Sequence, residues 1–217
     1  MTVIVHPTRP AAPAEDLLAR WRRIPVSVIV DLVPDRQIDP AIAALRPAGQ
    51  QPALFGRAVT ARCAPPDFGA VLHALEHVEP GNVLVIAAGG HPAHAMIGDV
   101  LGGHLHRKGA AGVVCDGAVR DTAVLATMTG FAVYSRAVNP RGPTAAAEGE
   151  VNGTVEVGGC PVDPGDLIIG DGDGLAALAP AHLESLIDAA EAKLTLEAEW
   201  TERLAAGDKV RDIFGLA

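Results

Sequence analysis

Aromatic residues are scarce in this chain: Phe, Trp and Tyr together make up 3% of its 217 residues. That excludes the base-stacking platform on which single-stranded nucleic acid is bound. Positive charge is also in deficit, with 17 Lys and Arg against 26 Asp and Glu, a formal net charge of −9 and a pI near 5.3. A basic face for nucleic acid is therefore not predicted. No apolar run approaches the ~18 residues of a membrane span. The opening "MTVIVHPTRPAAPAED" lacks a basic flank followed by a long apolar core, so the reading includes neither a secretory signal nor a membrane partner. Three cysteines, Cys63, Cys115 and Cys160, are odd in number, widely spaced and set in apolar surroundings. They read as buried free thiols of a reducing compartment, not as a disulfide framework. A cytoplasmic enzyme or regulator fits these absences.

What is present is apolar mass. Hydrophobic residues make up 49% of the chain and the mean hydropathy is +0.25, enough for one domain with a sizeable core. Residues 1–14, rich in Pro and Ala, read as an N-terminal arm and 15–217 as a single domain. "EDLLARWRRI" predicts a short helix, "VSVIVDLV" an apolar segment of open type, and the proline-broken stretch 34–56 a loop region. "GRAVTARCA" alternates as a strand does, "FGAVLHALEHV" has helical spacing, and "NVLVIAA" is a buried strand. A glycine-bearing loop, "GGHPAHAMIG", is then expected before the helix "DVLGGHLHRKG". "AGVVCDG" and "FAVYSRAV" are strands flanking the helix "TAVLATM". After "NPRGPTAAAEGE" come the short strands "GTVEVGG", "DLIIGD" and "GLAALAP", and Pro180 opens a long amphipathic helix to about Ala206. The middle is thus a strand–helix alternation typical of a parallel sheet, and the later part a β-meander closed by a helix, an α/β fold.

One stretch carries chemistry. "GVVCDGAVRD", residues 112–121, reads as a strand, an Asp-Gly turn and a helix start bearing Arg120 and Asp121. An ordinary account suffices for it alone, since acidic residues favour the first helical turn. The same pattern occurs upstream, where "NVLVIAA" leads through a loop into Gly98 and Asp99. Neighbouring parallel strands would bring both loops to one carboxyl edge, where ligands of open α/β sheets bind. Backbone N–H groups of 98–101 could then hold a carboxylate, with Gly98 permitting close approach and Arg120 acting as a planar clamp. Asp99, Asp116 and Asp121 offer hard oxygens to Mg²⁺ or Mn²⁺, directly or through water. No His/Cys cluster has zinc spacing.

Asp99, twenty intervening residues, Arg120-Asp121, "VCDGAVRD" and "FAVYSRAVNPRG" together resemble the 4-hydroxy-4-methyl-2-oxoglutarate/4-carboxy-4-hydroxy-2-oxoadipate aldolases. That group includes the regulator of ribonuclease activity A and members once labelled methyltransferases. The resemblance spans about 25–215, including "IPVSVIVD", "GDGDG" and "ERLAAGDKVRDIFGL". It implies a layered β/β/α fold of the RraA-like, swivelling-domain type, with a central sheet and a C-terminal helix. It also implies cleavage of 4-hydroxy-2-oxo diacids to pyruvate, oxaloacetate decarboxylation as a side activity, and a divalent cation, Mg²⁺ or Mn²⁺.

The residues implied to bind the pyruvoyl end are Gly98, Asp99, Val100, Leu101 and Arg120, with Arg120, Asp99 and Glu197 as catalytic groups. Asp121 is implied as the direct metal ligand, with Asp99 acting through water; Asp116 is a further candidate. Glu197, with Glu199 as its alternative, would come from a neighbouring subunit of a homotrimer or hexamer whose sites lie between subunits. The competing reading is a non-catalytic regulator of ribonuclease activity.

Other features read more plainly. His73 and His77 have i, i+4 spacing but no third ligand; His91, His94, His104 and His106 flank the proposed pocket as solvated residues. "GDGDG" reads as tight turns. "VIAAGGHPAHAMIG" does not match the nucleotide-binding G-x-G-x-x-G.

Overall fold

Four consecutive apolar segments build the centre. In the computed structural model, which describes residues 2–7 and 13–216, they are β4 (Leu54–Arg62), β5 (Val83–Ile97), β6 (Gly112–Val119) and β7 (Ala132–Val138), numbered in chain order. They lie side by side and parallel. Before them come β1 (Ile4–Val5), α1 (Glu15–Trp21), α2 (Val26–Leu32), β2 (Gln37–Ile38) and β3 (Ala43–Ala44). Between them run α3 (Gly69–Ala74), α4 (Asp99–Arg107) and α5 (Thr122–Leu125). After them come β8 (Glu150–Val151), β9 (Val155–Val157), β10 (Cys160–Val162), β11 (Leu167–Gly170), β12 (Leu175–Leu178), α6 (Pro180–Ala205) and α7 (Val210–Phe214).

The sheet order is β2-β12-β11-β4-β5-β6-β7-β3, with β8 bridging β4 and β1. The parallel strands are buried on both faces, which is why they read as continuous apolar runs. Alternation sorts their side chains into two layers. Leu84, Ile86, Val113 and Val133 face α3–α5, packing on Val71, Leu105 and Leu125. Val83, Val85, Val114 and Tyr134 face the other way, onto Val157, Val162 and Ile168 of the meander. A third cluster joins Ile169 and Leu178 to Trp21, Ile29, Leu183 and Ile187 of α1, α2 and α6. The layering is helix, sheet, sheet, helix, an α/β arrangement with a central sheet and a C-terminal helix. The uncertain segment after Pro25 is a helix, α2. Of the N-terminal arm, residues 8–12 lie outside the described residues, and Ile4–Val5 pairs with Glu150–Val151.

Two expectations are corrected. The glycine-bearing loop at 89–98 is mostly strand: β5 runs on to Ile97, its fifteen residues opposing the eight of β6. Gly89 and Gly90, with φ of 58° and 73°, carry the first of three register shifts, the others falling between the pairs His91↔Gly117, Ala95↔Ala118 and Ile97↔Val119. Asp116-Gly117 is likewise no turn but the middle of β6. Gly117 is small because a Cβ there would meet the Ala88 Cβ at 2.9 Å and the His91 carbonyl at 3.2 Å.

Candidate active site

Register Ile97↔Val119 brings the next residues of β5 and β6 to one level at the carboxyl edge. The Arg120 N–H donates to the Ile97 carbonyl at 3.0 Å, and the Asn139 N–H to the Val119 carbonyl at 3.0 Å. Gly98, in an extended conformation, precedes the nine-residue α4. Asp121 precedes α5 with φ 56° and ψ 37°, a left-handed conformation that Asp tolerates better than most residues. That twist turns its carboxylate back towards α4. Its Oδ2 accepts the Asp99 N–H at 3.3 Å and lies 3.3 Å from the Arg120 Nε. A Cβ on Gly98 would stand 2.4 Å from that Oδ2 and 2.8 Å from the Arg120 Cγ, so only glycine admits this contact. Gly142 does the same for the other end of Arg120, where a Cβ would fall 2.7 Å from Nη1. Arg46 collects the carbonyls of Leu125, Met128 and Phe131 and so anchors the one-turn α5.

Both Arg120 and Asp121 remain accessible, with side chains 41% and 37% exposed. Beside them opens a cavity of about 380 Å³ lined by Gly98, Val100, Leu101 and Arg120. Its remaining wall is Phe68 and Leu72 at α3, Ala95–Ile97 of β5, and Gly142-Pro143. The first four N–H groups at a helix start, that of the N-cap residue included, have no partner within the helix. In α4 the Asp99 N–H is taken by Asp121, and the next two belong to Val100 and Leu101, which line the cavity. Of the sequence-predicted residues, Gly98, Asp99, Val100, Leu101, Arg120 and Asp121 come together.

Two residues do not join them. Asp116 sits inside β6 and lines a different cavity, of about 730 Å³, with Asp39, Arg62, Arg136 and Glu156. Its Oδ1 accepts the Arg136 Nε–H at 2.6 Å and its Oδ2 the Gly158 N–H at 3.1 Å. The expectation that Asp116 shares the Asp121 edge fails because the strand does not turn at Gly117. Glu197 lies on α6, which packs on α1, α2, α7 and the β11–β12 side of the sheet, and its carboxylate is 3.9 Å from the Lys193 ammonium.

Sequence reasoning missed the apolar wall (Phe68, Leu72, Met96, Pro143) and Asp67. Asp67 is 6% exposed and accepts N–H groups of Gly69 at 2.7 Å and Ala147 at 2.8 Å, which ties the start of α3 to the segment between β7 and β8 beside the cavity. Burial pushes its carboxyl up, but N–H groups of Ala147, Gly69 and Glu148 outweigh that and hold it below the usual carboxylate range. The signal for Asp67 was an Asp two residues before a helix, which capping chemistry explains; nothing in the sequence marked the wall.

The histidines divide. His73 and His77 are not an i, i+4 pair on one helix, since α3 ends at Ala74. The His106 ring nitrogen lies 2.9 Å from the Thr129 carbonyl. His91 Nε2 and His94 Nδ1 are 3.0 Å apart in nearly parallel rings, and burial, then His91 and Arg141, push the His94 pKa down. Cys115 and Cys160 are buried and Cys63 half-buried, all free. Burial pushes the Cys63 thiol up to about 12, which suppresses its reactivity.

Residues 26–176 match the family model for RraA-like proteins, Aldolase/RraA. The chain belongs to this family. It is 31% identical over 178 residues to a Halalkalibacterium halodurans protein named "Putative 4-hydroxy-4-methyl-2-oxoglutarate aldolase", covering 82% of this chain and 83% of that one. The structure of the RNA-processing inhibitor RraA from Thermus thermophilis is similar, with TM-score 0.63 and 31% identity over 71% of this chain and 92% of that one. Streptomyces coelicolor RraAS2, described as an unusual member of the RNase ES inhibitor RraA family, shares the fold with TM-score 0.78 and 24% identity, over 88% and 99% of the two chains. The matched span runs from α2 to β12 and contains every residue of the cavity edge.

Proposed function

We propose that this Aldolase/RraA-family chain is a divalent-metal-dependent lyase. It cleaves 4-hydroxy-2-oxo acids, diacids by the family resemblance, to release pyruvate, and decarboxylates oxaloacetate as a side activity. The observation that carries this reading is the Asp121 carboxylate held against Gly98, accessible beside Arg120, which lines the cavity. A carboxylate needed only for starting α5 has no reason to be seated where only glycine fits.

The donor set suits a hard cation. Among the described residues no group of three or more His, Cys, Asp or Glu side chains could hold a metal by itself. Asp121 and Asp99 would therefore hold Mg²⁺ or Mn²⁺ with water and substrate completing the shell, as is usual for ions that dehydrate reluctantly. When bound, such an ion supplies Lewis acidity towards the 2-oxo acid.

The chain's own groups do the rest. The N–H groups of Val100 and Leu101 receive the substrate carboxylate at the positive end of α4. The Arg120 fork binds an adjacent oxygen and stabilises the charge that develops on it as the C–C bond breaks. Loss of CO₂ from oxaloacetate needs no base. Retro-aldol cleavage needs one for the 4-hydroxyl proton, and that role falls to water held by Asp99 or by Glu197 of the partner subunit. Leu196, Leu204 and Phe214, each 40–46% exposed on the outer part of α6 and α7, supply the apolar surface for the homotrimer or hexamer this requires. The test is pyruvate release from oxaloacetate and a 4-hydroxy-2-oxo diacid, lost in EDTA and restored by Mg²⁺ or Mn²⁺. Activity that survives EDTA, with borohydride trapping a covalent substrate adduct, would replace this reading with a Schiff-base one.

A second reading has its own support: the Thermus thermophilis structure, 31% identical, is of an RNA-processing inhibitor. Under it the acidic surface binds a ribonuclease assembly without turnover. Ribonuclease capture by a chain that releases no pyruvate under any metal condition would favour it.

A further inference from the structure

We infer that the turn Asn139-Pro140-Arg141-Gly142 is the seat of the Arg120 guanidinium, with Asn139 and Gly142 as its positioning residues. This turn closes the stretch "FAVYSRAVNPRG", which carries part of the family resemblance yet has no role in the site as described so far. The contacts that make the seat lie within one chain and stand whichever subunit completes the site. Their consequence for turnover rests on the lyase reading.

Asn139 follows the last residue of β7 and precedes a proline, which confines it to extended backbone. Its N–H donates to the carbonyl of Val119, the neighbour of Arg120, at 3.0 Å. Both ends of its side chain are used. Oδ1 accepts the Arg141 N–H at 2.9 Å, and Nδ2 donates to the Pro92 carbonyl of the β5 bulge at 3.0 Å. Beyond it the Arg141 carbonyl accepts the Ala95 N–H at 2.8 Å, and the Thr144 N–H donates to the Pro66 carbonyl at 3.0 Å. Gly142 is thus bracketed by hydrogen bonds on either side and flanked closely by Pro140 and Pro143, whose rings fix φ. Its backbone cannot easily give way.

Arg120 rests against that fixed point. A Cβ on Gly142 would stand 2.7 Å from Nη1 and 3.6 Å from Cζ. The φ of Gly142 is not positive, so the backbone itself would accept alanine. What glycine provides here is room for the guanidinium. An alanine would push Nη1 aside by about 0.7 Å to reach ordinary contact. The free end of a long side chain yields more cheaply than a bracketed backbone, so the fold keeps its stability while the fork leaves its place. A misplacement near 1 Å can cost a reaction about 10²-fold.

The test is made on the intact chain with Gly142→Ala and Asn139→Ala. Nitrogen-15 NMR follows the Arg120 Nε–H signal, assigned by its loss in Arg120→Lys, and a pyruvate assay follows oxaloacetate decarboxylation with Mg²⁺. In Gly142→Ala the signal should move and kcat should fall by about 10- to 10²-fold, with KM and melting temperature close to wild type. Asn139→Ala should act in the same direction by less. Lysine stops short of the Nη1 position, so Gly142→Ala added to Arg120→Lys should change kcat by less than about twofold. An unmoved Arg120 signal would overturn the inference. So would an equal loss of kcat in the Arg120→Lys background, or a moved signal with wild-type kcat; each leaves the lyase reading in place. A moved signal in a chain that releases no pyruvate, wild type included, would uphold the seat and overturn the lyase reading.

Discussion

Two cavities open near the carboxyl ends of the same parallel strands: Asp39, Asp116 and Arg136 line one, and Arg120, with Asp121 beside it, lies at the other. Around Arg136 the charges are spent. Its Nε donates to Asp116 at 2.6 Å and its Nη1 to Asp39 at 2.8 Å, while the second Asp116 oxygen is taken by a backbone N–H. Hydrogen bonds that Arg136 donates to Asp116 and then to Asp39 push its pKa up, and the Ala41 N–H and then Arg136 push that of Asp39 down. Around Arg120, which lines the cavity, there is one longer contact, 3.3 Å to Asp121, and both side chains are partly exposed. Residue type does not distinguish the two places; unspent bonding capacity does. A guanidinium already held by two carboxylates organises structure, whereas one held loosely can take a ligand.

The variant expected to have the largest effect is Asp121→Asn. Asn also tolerates the left-handed conformation, so the turn into α5 should survive, while the anionic ligand is lost. Turnover should vanish and Mn²⁺ affinity should fall, with the melting temperature nearly unchanged. Retained turnover with a lowered melting temperature would return Asp121 to the ordinary role of starting a helix.

Glu197→Gln should have a narrower effect. Retro-aldol turnover should drop by about 10²-fold or more, the lower range for a general base, while oxaloacetate decarboxylation should change little. Equal losses on both substrates would show that Glu197 supports the assembly and takes no part in proton transfer.

Arg136→Met probes the other side of the comparison and should leave kcat within twofold. It strips Asp116 of its cation, and the carboxylate is almost buried while the arginine is one-quarter exposed. Stability should fall by about 2–4 kcal/mol, somewhat below the range for a fully buried pair. Urea denaturation measures it. A large loss of turnover without loss of stability would make the Asp116 cavity part of the reaction.

How much of this was legible in the sequence follows from what local pattern can encode. Buried parallel strands, the Pro180 helix start and the tight turn after Gly170 announce themselves through apolar runs and turn residues, and all appear where expected. The Gly98–Asp121 meeting was readable because two strand–helix junctions of like pattern had to share an edge. The course of β5 and β6 past Gly89 and Gly117 was not. Glycine looks the same whether it makes a turn, a bulge or room for a neighbouring carbonyl, and only the paired strand decides which. The misplacement of Asp116 follows from that ambiguity. The apolar wall was illegible for another reason: Phe68 and Leu72 come from α3 and its N-cap and Met96 from β5, and nothing distinguishes them from core residues until the cavity is seen.

The claim that the Arg120 side is the working one is tested most directly by kcat and melting temperature measured together on Arg120→Lys. An ammonium keeps the charge but not the planar fork, so a surface arginine would tolerate the change at little cost. A clamp on a developing oxyanion should lose about 10²–10³ in kcat, the usual consequence of removing one preorganised donor, with a melting temperature close to that of the wild type. Near-wild-type kcat in this variant would contradict the account and take Arg120 out of the site.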